Sequence, residues 1–222
     1  MSLRPRVTFT QYRGHAVEVG PASEPVTAGA LRSYLVETET SLPDADANAL
    51  IAEARNLIEE KTGLAFISQT WRMVLDAWPS QREPWWDGVR QGAISDLTGA
   101  PASVYLPRYP LAAVESVTVY DDAGSATVVD VAAVFDVDTY QKPGRLSLRS
   151  GETWPIALRN TNAIEIVYEA GYANAAAVPP TMARAVKQVA AYLYTHKGDD
   201  CQIDDAMAGV KSLLSAYVVA RI

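Results

Sequence analysis

Hydrophobic positions in this chain recur first at helical spacing, then at every second residue, then at helical spacing again. The first change of period falls between Asp44 and Trp78. Leu50, Ala54, Leu57 and Ile58 share one helical face, and Glu53, Glu59, Glu60 and Lys61 fall largely outside it. Asp44 is placed to cap the free amides of the first turn, and Gly63 to close the helix in the left-handed conformation. Beyond Gly63 the pattern alternates. Ile67, Gln69, Trp71, Met73, Leu75 and Ala77 form a mostly apolar face, opposed by Phe66, Ser68, Thr70, Arg72, Val74 and Asp76. A helix that hands over to an amphipathic strand marks the junction of a helical part with a β part.

Upstream, residues 1–20 alternate loosely, through Val7, Phe9, Val17 and Val19, and predict a marginal hairpin or an extended arm. Thr27 is placed to cap a short helix containing Leu31, Tyr34 and Leu35, which the acidic Glu37 and Glu39 end. Downstream of Trp78, the stretch SQREPWWDGVRQG is too polar for a core strand and predicts an exposed loop carrying Trp85 and Trp86. Strands are expected at Ser103–Leu106, Val114–Tyr120, Thr127–Val134, Asp136–Tyr140, Arg145–Leu148 and Ala163–Tyr168, with turns at Asp121–Gly124 and Lys142–Gly144. Pro179-Pro180 opens a second long helix whose stripe is Met182, Val186, Val189, Ala190, Leu193 and Tyr194, closed by Gly198. After an acidic connection, Met207, Val210, Leu213, Leu214, Tyr217 and Val218 return at helical spacing.

The order of helices, strands and helices predicts an α+β fold, with a helical core formed by N- and C-terminal helices and an inserted antiparallel β-sheet region. The expected organisation is an N-terminal arm over 1–26 and a main domain over 27–205. Within that domain, helices at 27–63 and 180–198 flank a β insertion at 64–178. A C-terminal amphipathic tail occupies 206–222.

Composition narrows the function. The 222 residues suffice to bury a core, and a net charge of −7 argues against holding nucleic acid over a broad basic surface. One cysteine, Cys201, excludes an intramolecular disulfide framework and fits a reducing cytoplasm. No apolar run approaches the ~20 residues of a membrane span, and MSLRPRVTF lacks the apolar core of a signal peptide, so neither a membrane association nor export is expected.

Candidate chemistry is sparse. His196 and Cys201 lie near Asp199, Asp200, Asp204 and Asp205, but no second His or Cys gives zinc spacing, and the glycine and glutamate of a calcium loop are missing. A solvated loop accounts for them. Neither His15 nor His196 neighbours a nucleophile motif, and there is no phosphate-binding glycine loop. Asp136 and Asp138 share one face of a short strand, where solvation explains them better than a hydrolase cleft. Arg4, Arg6 and Arg13 could touch phosphates, although three arginines in a terminal arm are about as often incidental. No catalytic residue, cofactor or metal is therefore expected. What solvation does not explain is the Trp85-Trp86 loop and the amphipathic tail, which either pack back on their own domain or serve partner surfaces.

In order and spacing, these segments resemble the head–tail connector (adaptor) proteins of long-tailed phages and gene transfer agents. The resemblance runs from about Glu24 to Leu214. It is carried by EPVTAGALRSYL, ALIAEARNLIEEKTGLAFISQTWRMVLD, LPRYPLAAVESVTVYDDAG, RLSLRSGETWP, IEIVYEAGY, VPPTMARAVKQVAAYLY and GVKSLLSAY. The arm before Glu24 and the ending VVARI do not match, and Ala216 stands where the family pattern has proline.

The resemblance implies a structural subunit of a virion or virion-like particle, made in the bacterial cytoplasm. Such adaptors form a ring, typically of twelve copies, under the portal protein. The ring extends the channel through which double-stranded DNA passes without sequence-specific binding, and it presents a platform for the next connector, stopper or tail protein. The family's portal-engaging C-terminal segment would correspond to Val210, Leu213, Leu214 and Tyr217. Two other readings stand beside it: a carbohydrate- or peptide-binding β module using Trp85, Trp86 and Trp154, and a carboxylate-based hydrolase.

Overall fold

A computed structural model describes residues 14–78, 103–157, 159–197 and 203–218. The fold is α+β, and the chain divides into two compact units. One comprises Val19–Gln69, Pro107–Ala112 and Glu169–Ile222; the other comprises Met1–Glu18, Thr70–Leu106 and Ala113–Tyr168.

The first unit is helical. Helix α1 (Ala28–Leu35) starts as expected, with the Thr27 hydroxyl accepting from the Ala30 amide at 3.2 Å. It ends at Val36, whose φ of 60° is left-handed and whose amide donates to Arg32. Helix α2 (Asp44–Thr62) differs from expectation at its start. The cap position is Pro43, and Asp44 is already helical. Its carboxylate accepts from Arg32 Nη1 at 2.6 Å instead of from its own first turn. The buried face of α2 is Ala47, Ile51, Ala54 and Ile58, so the stripe read from sequence is rotated slightly; Leu50 and Leu57 lie at its half-buried margins. Each fully buried isoleucine contributes roughly 1.5–3 kcal/mol relative to solvent. Gly63 closes the helix at φ 79° with its amide on Glu59, as its position predicts.

Two further helices complete this core. Helix α4 (Pro180–Thr195), so numbered because a one-turn helix α3 (Val131–Val134) precedes it, buries Met182, Ala185, Val186, Val189 and Ala190. Helix α5 (Ile203–Leu214) packs along α4. The tail is thus helical from Ile203, earlier than its apolar repeat suggested, and Ala206, Val210 and Leu214 belong to the same core.

The second unit carries most of two sheets. The larger has strand order β1 (Gly14–Val19), β2 (Gln69–Leu75), β8 (Ile164–Ala170), β4 (Leu111–Tyr120), β5 (Ala126–Val129). The smaller is antiparallel, with β7 (Arg145–Leu148) between β3 (Ser103–Tyr105) and β6 (Phe135–Asp138). In β2 the predicted inward set is buried, and β8 alternates in the same way, with Ile164, Ile166, Tyr168 and Ala170 inside. On the opposite face charges alternate across strands: Glu18 and Glu165 both pair with Arg72.

Three strand assignments differ from the sequence reading. The end of the N-terminal region is a paired strand, β1, rather than an arm throughout. The run expected as one strand over Thr127–Val134 ends at Val129, because the Asp130 side chain accepts from the Ala132 and Ala133 amides and starts α3. The run expected over Asp136–Tyr140 stops at Asp138, whose carboxylate binds the Tyr140 and Gln141 amides in a turn.

Candidate functional site

A cluster of buried charges at the end of α2 was not isolated by the sequence reading. Glu59 sits one turn before the end of α2, and its side chain is 5% exposed. One carboxylate oxygen accepts from the Phe66 amide at 2.8 Å and from Gln69 Nε2 at 2.9 Å; the other accepts from Arg55 Nη1 at 2.9 Å. Arg55 Nε also binds Glu24 at 2.8 Å, and the Arg108 guanidinium caps the Glu59 carbonyl at 2.5 Å. Burial raises the Glu59 pKa against the pull of these donors. Burial also works against the Arg55 charge, but its hydrogen bond to Glu24 and the field of both carboxylates outweigh it and raise its pKa. Arg55 and Glu59 are buried, and the Glu24 side chain is 23% exposed at the edge of the cluster. The cluster holds the helix-to-strand turn.

Gly171 fixes the neighbouring end of β8. At φ 120° it lies against the Ile67 carbonyl so closely that a methyl group has no room, while its amide donates to the Pro110 carbonyl at 2.8 Å. The Ser68 amide in turn donates to Tyr172 at 2.8 Å.

The tail residues divide by burial. Val210 and Leu214, each 1% exposed, are packed into their own core in this conformation. Leu213 and Tyr217 are half-buried at its margin. The Tyr217 hydroxyl lies 2.9 Å from Thr181 Oγ1 in the first turn of α4, which tethers the end of the tail. Trp85 and Trp86 lie outside the described residues.

Trp154 stacks on Trp78 with ring centroids 4.6 Å apart, and both rings tilt against Phe135. Trp78 Nε1 donates to the Pro155 carbonyl at 2.8 Å. His15 at the start of β1 stacks on Trp71 at 4.6 Å, with Nε2 2.7 Å from the buried Tyr168 hydroxyl. Neither cluster was isolated from sequence. The strand order β1–β2–β8 brings His15, Trp71 and Tyr168 together, whereas Trp78 and Trp154 lie outside the strands and meet beside Phe135 of β6.

The acidic and histidine candidates are dispersed. Asp136 pairs with Arg149 at 3.0 Å and Asp138 with Arg145 at 3.1 Å, so each carboxylate has its own cation. The Gln141 amide, with smaller help from Tyr140 and Arg145, lowers the Asp138 pKa. His196 Nδ1 lies 2.9 Å from the Tyr192 carbonyl. Cys201, Asp199 and Asp200 lie outside the described residues. Among the described residues no group of three His, Cys, Asp or Glu side chains could hold a metal ion, and no helix is long and apolar enough to cross a membrane.

No protein-family model matches the chain, and no curated protein matches it. Solved structures do. A chain from the neck of an empty gene transfer agent (GTA) particle, computed with C6 symmetry, aligns with a TM-score of 0.71 at 22% identity over 94% of this chain and 97% of that one. A chain from the virion of a native GTA particle gives 0.69 at 22% identity, covering 94% and 96%. A chain from the neck of a native GTA particle, computed with C12 symmetry, gives 0.64 at 25% identity, covering 93% and 97%. The chain therefore shares the fold of these neck and virion chains over almost its whole length.

Proposed function

We propose that this protein is a structural, non-enzymatic connector subunit of a virion neck. It assembles as a ring on the portal, extends the DNA channel and offers its far side to the next connector, stopper or tail protein. The observation that carries this reading is the near end-to-end fold match with GTA neck chains. Twelve copies would fit the C12 symmetry of one of those necks. The net charge of −7 is consistent with a conduit, since a strongly basic lumen would retain DNA by its phosphates.

Residues 206–222 act in this reading as the portal-engaging segment. The burial of Val210 and Leu214 divides the work: these two hold α5 on its own core, while Leu213 and Tyr217 at the margin are the ones a portal can reach. Trp85 and Trp86 are assigned a second partner surface on the polar composition of their stretch. The binding-module alternative loses Trp154, which is stacked on Trp78 within its own unit. The hydrolase alternative loses Asp136 and Asp138, each neutralised by its own arginine instead of converging in an apolar cleft.

The test is a pull-down on the cognate portal ring. Leu213→Ala combined with Tyr217→Ala is expected to weaken portal binding at least tenfold while the far-ultraviolet circular dichroism stays that of the parent. Undiminished binding would remove the tail assignment.

A further inference from the structure

The larger sheet ends in two edges of different sequence. β1 exposes Val17 (48%) and Val19 (61%), and β5 exposes Val128 (71%). Edge strands are normally guarded against pairing with another chain by lysine, proline, a bulge or an unneutralised charge. β5 reads Ala-Thr-Val-Val, with neither charge nor proline, and it lies beside β4 in an uninterrupted antiparallel register from Val117–Val129 to Tyr120–Ala126. In β1 the only charge is Glu18, which Arg72 engages. Among the described residues, both edges therefore present strand backbone with apolar side chains and little to repel a partner strand.

We infer that these edges join to each other between copies of this chain: β1 of one protomer adds to β5 of the next and continues the sheet across the subunit boundary. This rests on the ring reading above and names its contact. A ring with cyclic symmetry needs a head-to-tail interface made of two different surfaces, and an open sheet supplies two different edges. Sheet addition draws affinity from the main chain and specificity from alternate side chains, here Val17 and Val19 with Val128. Charge selects the same occupant. The thirteen residues that lead into β1 hold Arg4, Arg6 and Arg13 and no acidic residue, while Asp121, Asp122 and Asp130 flank β5. With six and four residues the edges are short, so a single contact is weak and the ring forms where copies are concentrated, on the portal.

Cysteine trapping tests this. In a Cys201→Ser background, Val128→Cys chains are mixed with Val17→Cys or Val19→Cys chains, assembled on the cognate portal and oxidised. Adjacent strands place Cα atoms within disulfide reach. The expected result is a covalent dimer from the mixture with at least one of the two β1 positions and none from either variant alone. The double variant carrying that β1 cysteine with Val128→Cys should give a ladder of covalent multimers. Portal-bound rings that yield no mixed cross-link, or that yield Val128→Cys homodimers, overturn the edge contact and leave the connector reading standing. Failure of the uncrosslinked parent to assemble on the portal overturns both.

Discussion

Arg55 shows how much of this fold depends on one charge. Its guanidinium neutralises Glu59 in a place where a lone carboxylate is costly, and Arg55→Met leaves that carboxylate buried without its cation. The expected loss is about 3–5 kcal/mol near neutral pH, measured by denaturant unfolding. Burial already raises the Glu59 pKa, so the folded state holds that proton more readily than the unfolded chain does. Its contribution is complete below the unfolded carboxylate range and falls as pH rises through the folded value. Without Arg55 the pKa rises further, so the destabilisation should shrink on acidification. A loss that stays constant or grows as pH falls would contradict this account. Gly171→Ala is a second single-residue case: the left-handed backbone alone costs on the order of 1–3 kcal/mol, before the clash with the Ile67 carbonyl. A melting temperature unchanged from the parent would show that the turn can relax. The sequence marked Gly63 as the end of α2 correctly. It could not mark Arg55 and Glu59, because a Glu and an Arg at i, i+4 on a helix read as a solvated pair until the partner segment at Phe66–Gln69 is in place.

At the scale of elements, α5 has a core role in the structure and a docking role only in the proposed function. Its apolar repeat fits a helix docked on its own domain as well as one docked on a neighbour, since both need the same amphipathic stripe. The structure packs Val210 and Leu214 inward, and this gives the two halves of the stripe different expected outcomes. Leu214→Ala should cost about 2–5 kcal/mol in unfolding free energy through the cavity it leaves. The Leu213 and Tyr217 substitutions should act mainly on portal binding. Equal loss of stability at all of these positions would mean that the tail is only a core helix. The strand boundaries that sequence reading missed have a local cause. Asp130 and Asp138 use their carboxylates on nearby backbone amides, and such side-chain bonds end strands that an apolar pattern alone would continue.

For the whole molecule, the succession of helices, strands and helices was legible because each long element keeps one period over many residues. Ala47 to Ile58 and Met182 to Ala190 are clear helical faces, and Ile164 to Ala170 is a clear alternating one. The division of the strands into two sheets was not legible. Pairing of β2 with β8, and of β3 with β7, joins residues far apart in sequence, and strand periodicity does not encode a partner. The proposed connector role rests on the order of weak segments and on the shared fold, not on any site. Its most direct test is the mass of the purified protein by light scattering, alone and with its cognate portal. The account predicts stoichiometric association with the portal as a ring, about twelve copies if the ring follows the C12 neck. A protein that remains a free monomer beside intact portal rings would contradict it.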